Sequence, residues 1–167
     1  MRRSSLRTLV FITTVALATA SCNRKTIYHH YEHTSVDGWG KDDTLYFTLP
    51  PSKQRAVVQR DVELRISGNY PFRGLSLIVE QTTIPAHSKA AISLQPSHYQ
   101  RTDTISYELV DQEGNIKGQG ISLYQYSFHM TDISLNEGDS LRISIHHAMQ
   151  RETLPGIADI GLRLTAY

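Results

Sequence analysis

The chain has 167 residues, 40% of them hydrophobic, with 17 Lys+Arg against 16 Asp+Glu and a formal net charge of +1. That length matches one domain with a real hydrophobic core, and the near-neutral balance offers no basic footprint for nucleic acid. A lone cysteine, Cys22, excludes an intrachain disulfide, so the fold must stand on packing and hydrogen bonds.

In chain order, the first element is a leader. Arg2, Arg3 and Arg7 precede an apolar run over residues 9 to 20, and the small residues Ala18, Thr19, Ala20 and Ser21 lead directly into Cys22. This is the layout of a secretory signal, and the run is shorter than the roughly 20 apolar residues that span a bilayer. A leader ending in small residues and then cysteine resembles a bacterial lipobox, in which the thiol is diacylated, the leader is cleaved and the new amino terminus is acylated. Cys22 is then residue one of the mature chain and its membrane anchor. Each buried CH₂ contributes about 0.8 kcal/mol, and two lipid chains already hold a protein stably. The rival reading is an ordinary secretory signal that leaves Cys22 a free or intermolecularly paired thiol, and Thr19 stands where many lipoboxes have leucine. Asn23 is not the aspartate associated with inner-membrane retention, and no acidic run follows it; the expectation is an outer-membrane anchor with the domain in the periplasm.

Residues 22 to 40 are polar, spotted with aromatics and without a clear period, and read as a lipidated N-terminus and tether. From Lys41 onward two-residue alternation takes over. Leu45, Phe47 and Leu49 alternate with Tyr46 and Thr48, and Val62, Leu64 and Ile66 with Glu63, Arg65 and Ser67. Ile105, Tyr107 and Leu109 repeat the pattern, as do Leu141, Ile143 and Ile145. Each run puts one face in a core and one in water. Residues 75–80, 160–164 and, less regularly, 120–128 add three more strands. Between them lie turn sequences such as Pro50-Pro51, Asn69-Tyr70-Pro71 and Asn136-Glu137-Gly138-Asp139. No segment carries a capped 3.6-residue apolar stripe. The expected architecture for residues 41–167 is an all-β antiparallel sandwich, with a jelly-roll order possible.

Several segments resemble, as an ordered set, the gliding motility lipoprotein GldH family. They are Gly38-Trp39-Gly40-Lys41-Asp42-Asp43, Asn69-Tyr70-Pro71-Phe72 with residues 75–79, residues 103–111 with Gly114, Gly118 and Gly120, and finally residues 147–150 and 154–163. Residues 52–60 and 82–102 match nothing in the set and read as insertions or loops. The resemblance implies a lipid-anchored envelope protein needed for gliding, associated with machinery that moves surface adhesins and secretes proteins, with no catalytic reaction and no cofactor to carry over.

Chemistry-bearing clusters are few. His29-His30-Tyr31-Glu32-His33 would bring His29 and His33 together for zinc only on a helix, which nothing here signals, so it reads as polar linker and no metal is expected. His146-His147 ends an alternating strand, placing one ring in the core or a loop and the other in solvent. There is no Gly-x-Ser-x-Gly elbow, no second cysteine and no phosphate-cradling loop, so no enzyme is expected. Asp42, Asp43, Asp111, Glu113 and Asp159 lack calcium-loop spacing; Asp111 and Gly114 read as a turn. Trp39, between two glycines, is expected to dock against the sandwich, with a partner-binding anchor as the rival. Tyr124, Tyr126 and Phe128 share one strand face. Inward packing is their default, and an exposed row would bind a protein or stack on sugar rings, which makes a carbohydrate-binding lipoprotein the alternative function.

Overall fold

The computed structural model describes residues 24–86 and 99–167; the leader and Cys22 lie outside the described residues. The described residues form eleven strands and no helix. The first six are β1 (Lys25–His33), β2 (Trp39–Gly40), β3 (Leu45–Leu49), β4 (Ala56–Ser67), β5 (Gly74–Ile84) and β6 (Tyr99–Glu108). After them come β7 (Leu123–His129), β8 (Ile133–Leu135), β9 (Ser140–His147), β10 (Thr153–Leu154) and β11 (Ile157–Ala166).

Setting aside the short β2, β8 and β10, the eight long strands pair first with last and so inward. β1 pairs with β11, β3 with β9, β4 with β7 and β5 with β6, all antiparallel. Two further pairings, β11 with β4 and β9 with β5, roll this nested hairpin into two sheets. One has the order β1-β11-β4-β7, with β8 on one end of β4; the other has β3-β9-β5-β6. This is the jelly-roll order of a two-sheet sandwich. The alternation read from the sequence fills its interior: Val58, Val62, Leu64, Ile160, Leu162 and Leu164 from the first sheet meet Phe47, Leu75, Leu77, Val79, Ile143 and Ile145 from the second.

One inward position on β4 is not apolar. Arg60 is fully buried, its Nε–H donates to the Thr131 carbonyl at 2.9 Å and its Nη1 to Gln81 Oε1 at 2.6 Å, and Nη2 lies 3.6 Å from Asp103. These contacts tie β4 to β5 and β6 across the layers. Burial pulls the Arg60 guanidinium below its ordinary pKa, partly opposed by the Asp103 charge.

The structure corrects the domain boundary. Residues 25–33, expected as tether, form β1, paired with β11 from Lys25↔Ala166 to His33↔Asp159 with one bulge between Thr26 and Tyr28. The strand shows no apolar alternation because neither face is purely apolar. His29, Tyr31 and His33 cover the outer face of β11, while Tyr28 and His30 turn inward, His30 edge-on to Phe47. Residues 56–60, expected as loop, begin β4, and residues 82–84 and 99–102 lengthen β5 and β6.

Trp39 also sits inside. It is fully buried, its Nε1–H donates to the Asp43 carbonyl at 2.8 Å, and β2 pairs with β10 through Trp39↔Leu154. Gly38 makes the approach possible: its φ is +116°, and a Cβ there would lie 2.6 Å from Thr153 Cγ2 and 2.9 Å from the Leu154 carbonyl oxygen. The indole meets His147 edge to face at 5.3 Å. His147 is buried as well, and among the described residues neither ring nitrogen has a hydrogen-bond partner.

Trp39→Ala removes the largest side chain of this end of the core and should cost about 3–5 kcal/mol in a urea unfolding titration. For His147, burial lowers the imidazole pKa, with Lys41 and His146 adding repulsion and the Trp39 carbonyl opposing. The unfolded ring therefore binds a proton first as pH falls through about 6.5, and the folded state loses stability between that value and its own lower pKa. Comparing unfolding midpoints at pH 7.5 and 5, His147→Leu should show a shallower decline than the wild type.

Candidate functional site

The densest polar chemistry lies on the outer face of the first sheet, where an antiparallel sandwich ordinarily meets water. Register builds it row by row. Asp61 on β4 stands beside Arg163 on β11 and His129 on β7; Glu63 beside Gly161 and Ser127; Arg65 beside Asp159 and Gln125. β1 completes the rows with His29 opposite Arg163, Tyr31 opposite Gly161 and His33 opposite Asp159.

Three carboxylates in this face are buried: Glu63 is 1% exposed, Asp61 3% and Asp159 6%. Glu63 accepts from His29 Nε2 at 2.7 Å and from the Tyr31 hydroxyl, and forms an ion pair with Arg163 Nη1 at 3.2 Å. Asp61 accepts from Arg163 Nε and Nη2 at 3.3 and 3.2 Å, from Gln59 Nε2 at 3.0 Å and from His129 Nδ1 at 3.3 Å. Asp159 holds His33 Nδ1 and lies 3.5 Å from Arg65 Nη1. Arg163 thus bridges two carboxylates, the geometry in which a planar guanidinium is strongest.

Tyr31 is the lid of this network. It lies over Gly161, where a Cβ would sit 2.6 Å from the ring, and Arg65 stacks on it at 3.9 Å. Burial and then the hydrogen bond to Glu63 push the Tyr31 phenol up to about 12, so it stays protonated and donates. Each of these three carboxylates is therefore occupied by donors from its own sheet.

Of the residues singled out in the sequence, His29, Tyr31, His33 and Asp159 belong to this network and the others fall elsewhere. The His29–His33 run is a strand, so His29 and His33 share the outer face with Tyr31 between them, while His30 and Glu32 belong to the other side. Among the described residues no three His, Cys, Asp or Glu groups are placed to hold a metal. Trp39 is buried and offers no surface to a partner. Tyr124, Tyr126 and Phe128 do share a face, but it is the inner one: Tyr126 is buried with its hydroxyl on the Leu109 carbonyl at 3.0 Å, and Phe128 stacks on Tyr107 at 3.7 Å. The exposed aromatic row that would have bound a partner or a sugar is absent there. As the turn reading expected, Asp111 accepts from the Glu113 and Asn115 amides. The residues of this cluster that sequence reasoning missed, Asp61, Glu63 and Arg163, carry one legible signal: charge at every second position of Asp61-Val62-Glu63-Leu64-Arg65.

With the fold in place, the resemblance can be tested. The family model for the GldH lipoprotein matches residues 26–164, from β1 through β11. The chain belongs to the GldH lipoprotein family. Gliding motility lipoprotein GldH of Flavobacterium johnsoniae is 27% identical over 158 residues, covering 89% of this chain and 90% of that one. The gliding motility lipoprotein GldH homolog of Christiangramia forsetii is 27% identical over 171 residues, covering 97% and 96%. Among solved structures, a CocE/NonD family hydrolase from Staphylococcus aureus overlaps 85% of this chain with 33% of its own at 11% identity and a TM-score of 0.41, too loose an overlap to bear on function. The match begins inside β1, so the GldH domain includes the strand that covers the carboxylates.

Arg163→Ala leaves Asp61 and Glu63 short of their shared cation. With Arg163 about a third exposed, solvent screens part of the loss, and the expected cost is about 2–3 kcal/mol by denaturant titration at neutral pH. Arg163→Lys, which cannot fork between two carboxylates, should recover only part of it.

Proposed function

We propose that this protein is a noncatalytic, lipid-anchored envelope component, a structural or assembly subunit of the gliding motility machinery and its associated secretion apparatus. It is held in the outer membrane through acylated Cys22, with the sandwich in the periplasm. The observation that carries the reading is the family match over residues 26–164, essentially the whole sandwich, directly behind the lipobox-like run that ends at Cys22. Both relatives carry gliding motility in their names and align over nine-tenths or more of their length. The noncatalytic part is supported by how the polar cluster is spent. Asp61, Glu63 and Asp159 are each engaged by donors from β1, β4, β7 or β11, which stabilises the sheet face and leaves none of the three free to move a proton for a substrate.

Mechanistically, acyl chains confine the domain to one leaflet. Encounter with a partner on the same membrane then gains from effective concentration rather than from tight intrinsic affinity.

Two measurements test the reading. Cys22→Ser should move the protein from a salt-washed membrane pellet to the soluble fraction, and intact mass should show the acyl chains on the wild type; an unmodified thiol there overturns the anchor. Cross-linking in native membranes should recover motility or secretion components with the wild type. A deletion strain whose gliding and secretion are unchanged would overturn the assembly role.

A further inference from the structure

β1 begins at Lys25, and the preceding Arg24 reaches back along the sheet, its Nη1 3.5 Å from Gln59 Oε1 and its guanidinium 5.7 Å from the Tyr167 ring. Only one residue separates Arg24 from Cys22, so the two Cα atoms are at most about 7 Å apart. An anchor at Cys22 therefore has no tether behind which the domain can wander. The sandwich end that holds Arg24 must lie within a side-chain length of the headgroups.

That end is chemically suited to the position. Register places Lys25, Ala166 and Val58 in one row, with Ala56, Arg55 and Lys53 beyond them and Tyr167 N–H donating to the Val57 carbonyl. Among the described residues, Arg24, Lys25, Lys53 and Arg55 are exposed there, as are Val57 and Tyr167, against exposed Glu137, half-buried Asp132 and buried Asp139, whose carboxylate accepts from the Ala86 and Asn136 amides. Asp132 is engaged by Tyr167 and His129. The opposite end has the reverse balance: Asp37, Asp42, Asp43, Glu108, Glu113 and Glu152 are exposed and outnumber the basic groups around them. Basic side chains within about 8 Å of lipid phosphates are attracted before salt screens them. Tyrosine, apolar in its ring and polar at its tip, suits the same boundary.

We propose that this basic end, Arg24, Lys25, Lys53, Arg55, Val57 and Tyr167, is a membrane-seating surface that rests on anionic phospholipid headgroups and stands the sandwich upright. The proposal rests on acylation of Cys22 and adds the orientation of the domain. β4 runs away from this end for twelve residues, about 35 Å at strand rise. The 109–123 loop, with Ile121 93% exposed, is then held at that height above the leaflet.

The test uses the full acylated chain reconstituted in vesicles of phosphatidylethanolamine and phosphatidylglycerol, with a thiol-reactive fluorophore on Tyr167→Cys or on Ile121→Cys. Headgroup spin-labelled lipid should quench the probe at 167 several-fold more than the probe at 121. Combining Lys25→Glu, Lys53→Glu and Arg55→Glu should lower quenching at 167 while the protein still floats with the vesicles. Protein that floats but shows equal quenching at both sites, or stronger quenching at 121, overturns the seating surface alone. Protein that does not float, with an unmodified Cys22 by intact mass, overturns the anchor and the seating surface with it.

Discussion

The pairing of β1 with β11 is the interaction on which the rest of this molecule depends, because it closes three things at once. It joins the two ends of the described chain, completes the nested hairpin that rolls into a jelly roll, and covers carboxylates that could not otherwise be buried. The fit is local and steric. Gly161 supplies the space that Tyr31 fills, and with Tyr31 lying there its hydroxyl reaches Glu63 while its ring takes the Arg65 guanidinium. A side chain at position 161 would lift Tyr31 and open Glu63 to water.

A buried ionic face of this kind is a poor source of net stability, since desolvating each carboxylate costs several kcal/mol and pairing only returns it when the geometry is good. Its effect is on register. A one-residue slip of β1 along β11 would move His29, Tyr31 and His33 to the inner side and leave Glu63 and Asp159 without three of their donors. The apolar core alone would not penalise that slip strongly, because β1 carries mixed side chains on both faces. Charge complementarity thus specifies the edge strand where hydrophobic patterning does not, and it does so at the last contact a nested hairpin can make. Pairings between distant chain segments form late and slowly.

How much of this was legible follows the same division. Strands whose two faces differ in polarity, such as β3 and β9, announce themselves by Leu45-Tyr46-Phe47-Thr48-Leu49 and Leu141-Arg142-Ile143-Ser144-Ile145, and the all-β sandwich followed from them. The sequence of β1 reads as tether because its partner surface is polar: His-His-Tyr-Glu-His suits a strand lying on carboxylates and has no hydrophobic period to display. The outer face of β4 was assigned to water for the same reason: alternation says that Glu63 and Asp61 point away from the core, but it is blind to another strand's side chains closing over them. Trp39 was legible in part, since burial followed from its size, whereas its meeting with His147 requires the β2–β10 ribbon that two residues per strand cannot reveal.

The boundary shift from Lys41 to β1 changes what an anchor at Cys22 means. An 18-residue tether would let a domain search a hemisphere of tens of ångströms, and its partner could sit at many heights. With β1 starting at Lys25, an acylated Cys22 would instead hold the domain close to one height, so part of the entropy lost on docking would already be lost before a partner arrives. Were Cys22 acylated, a pull on the chain there would enter the fold at Lys25 and run along the β1–β11 ladder in shear, loading many backbone hydrogen bonds together. Both properties would come from the strand that covers Glu63.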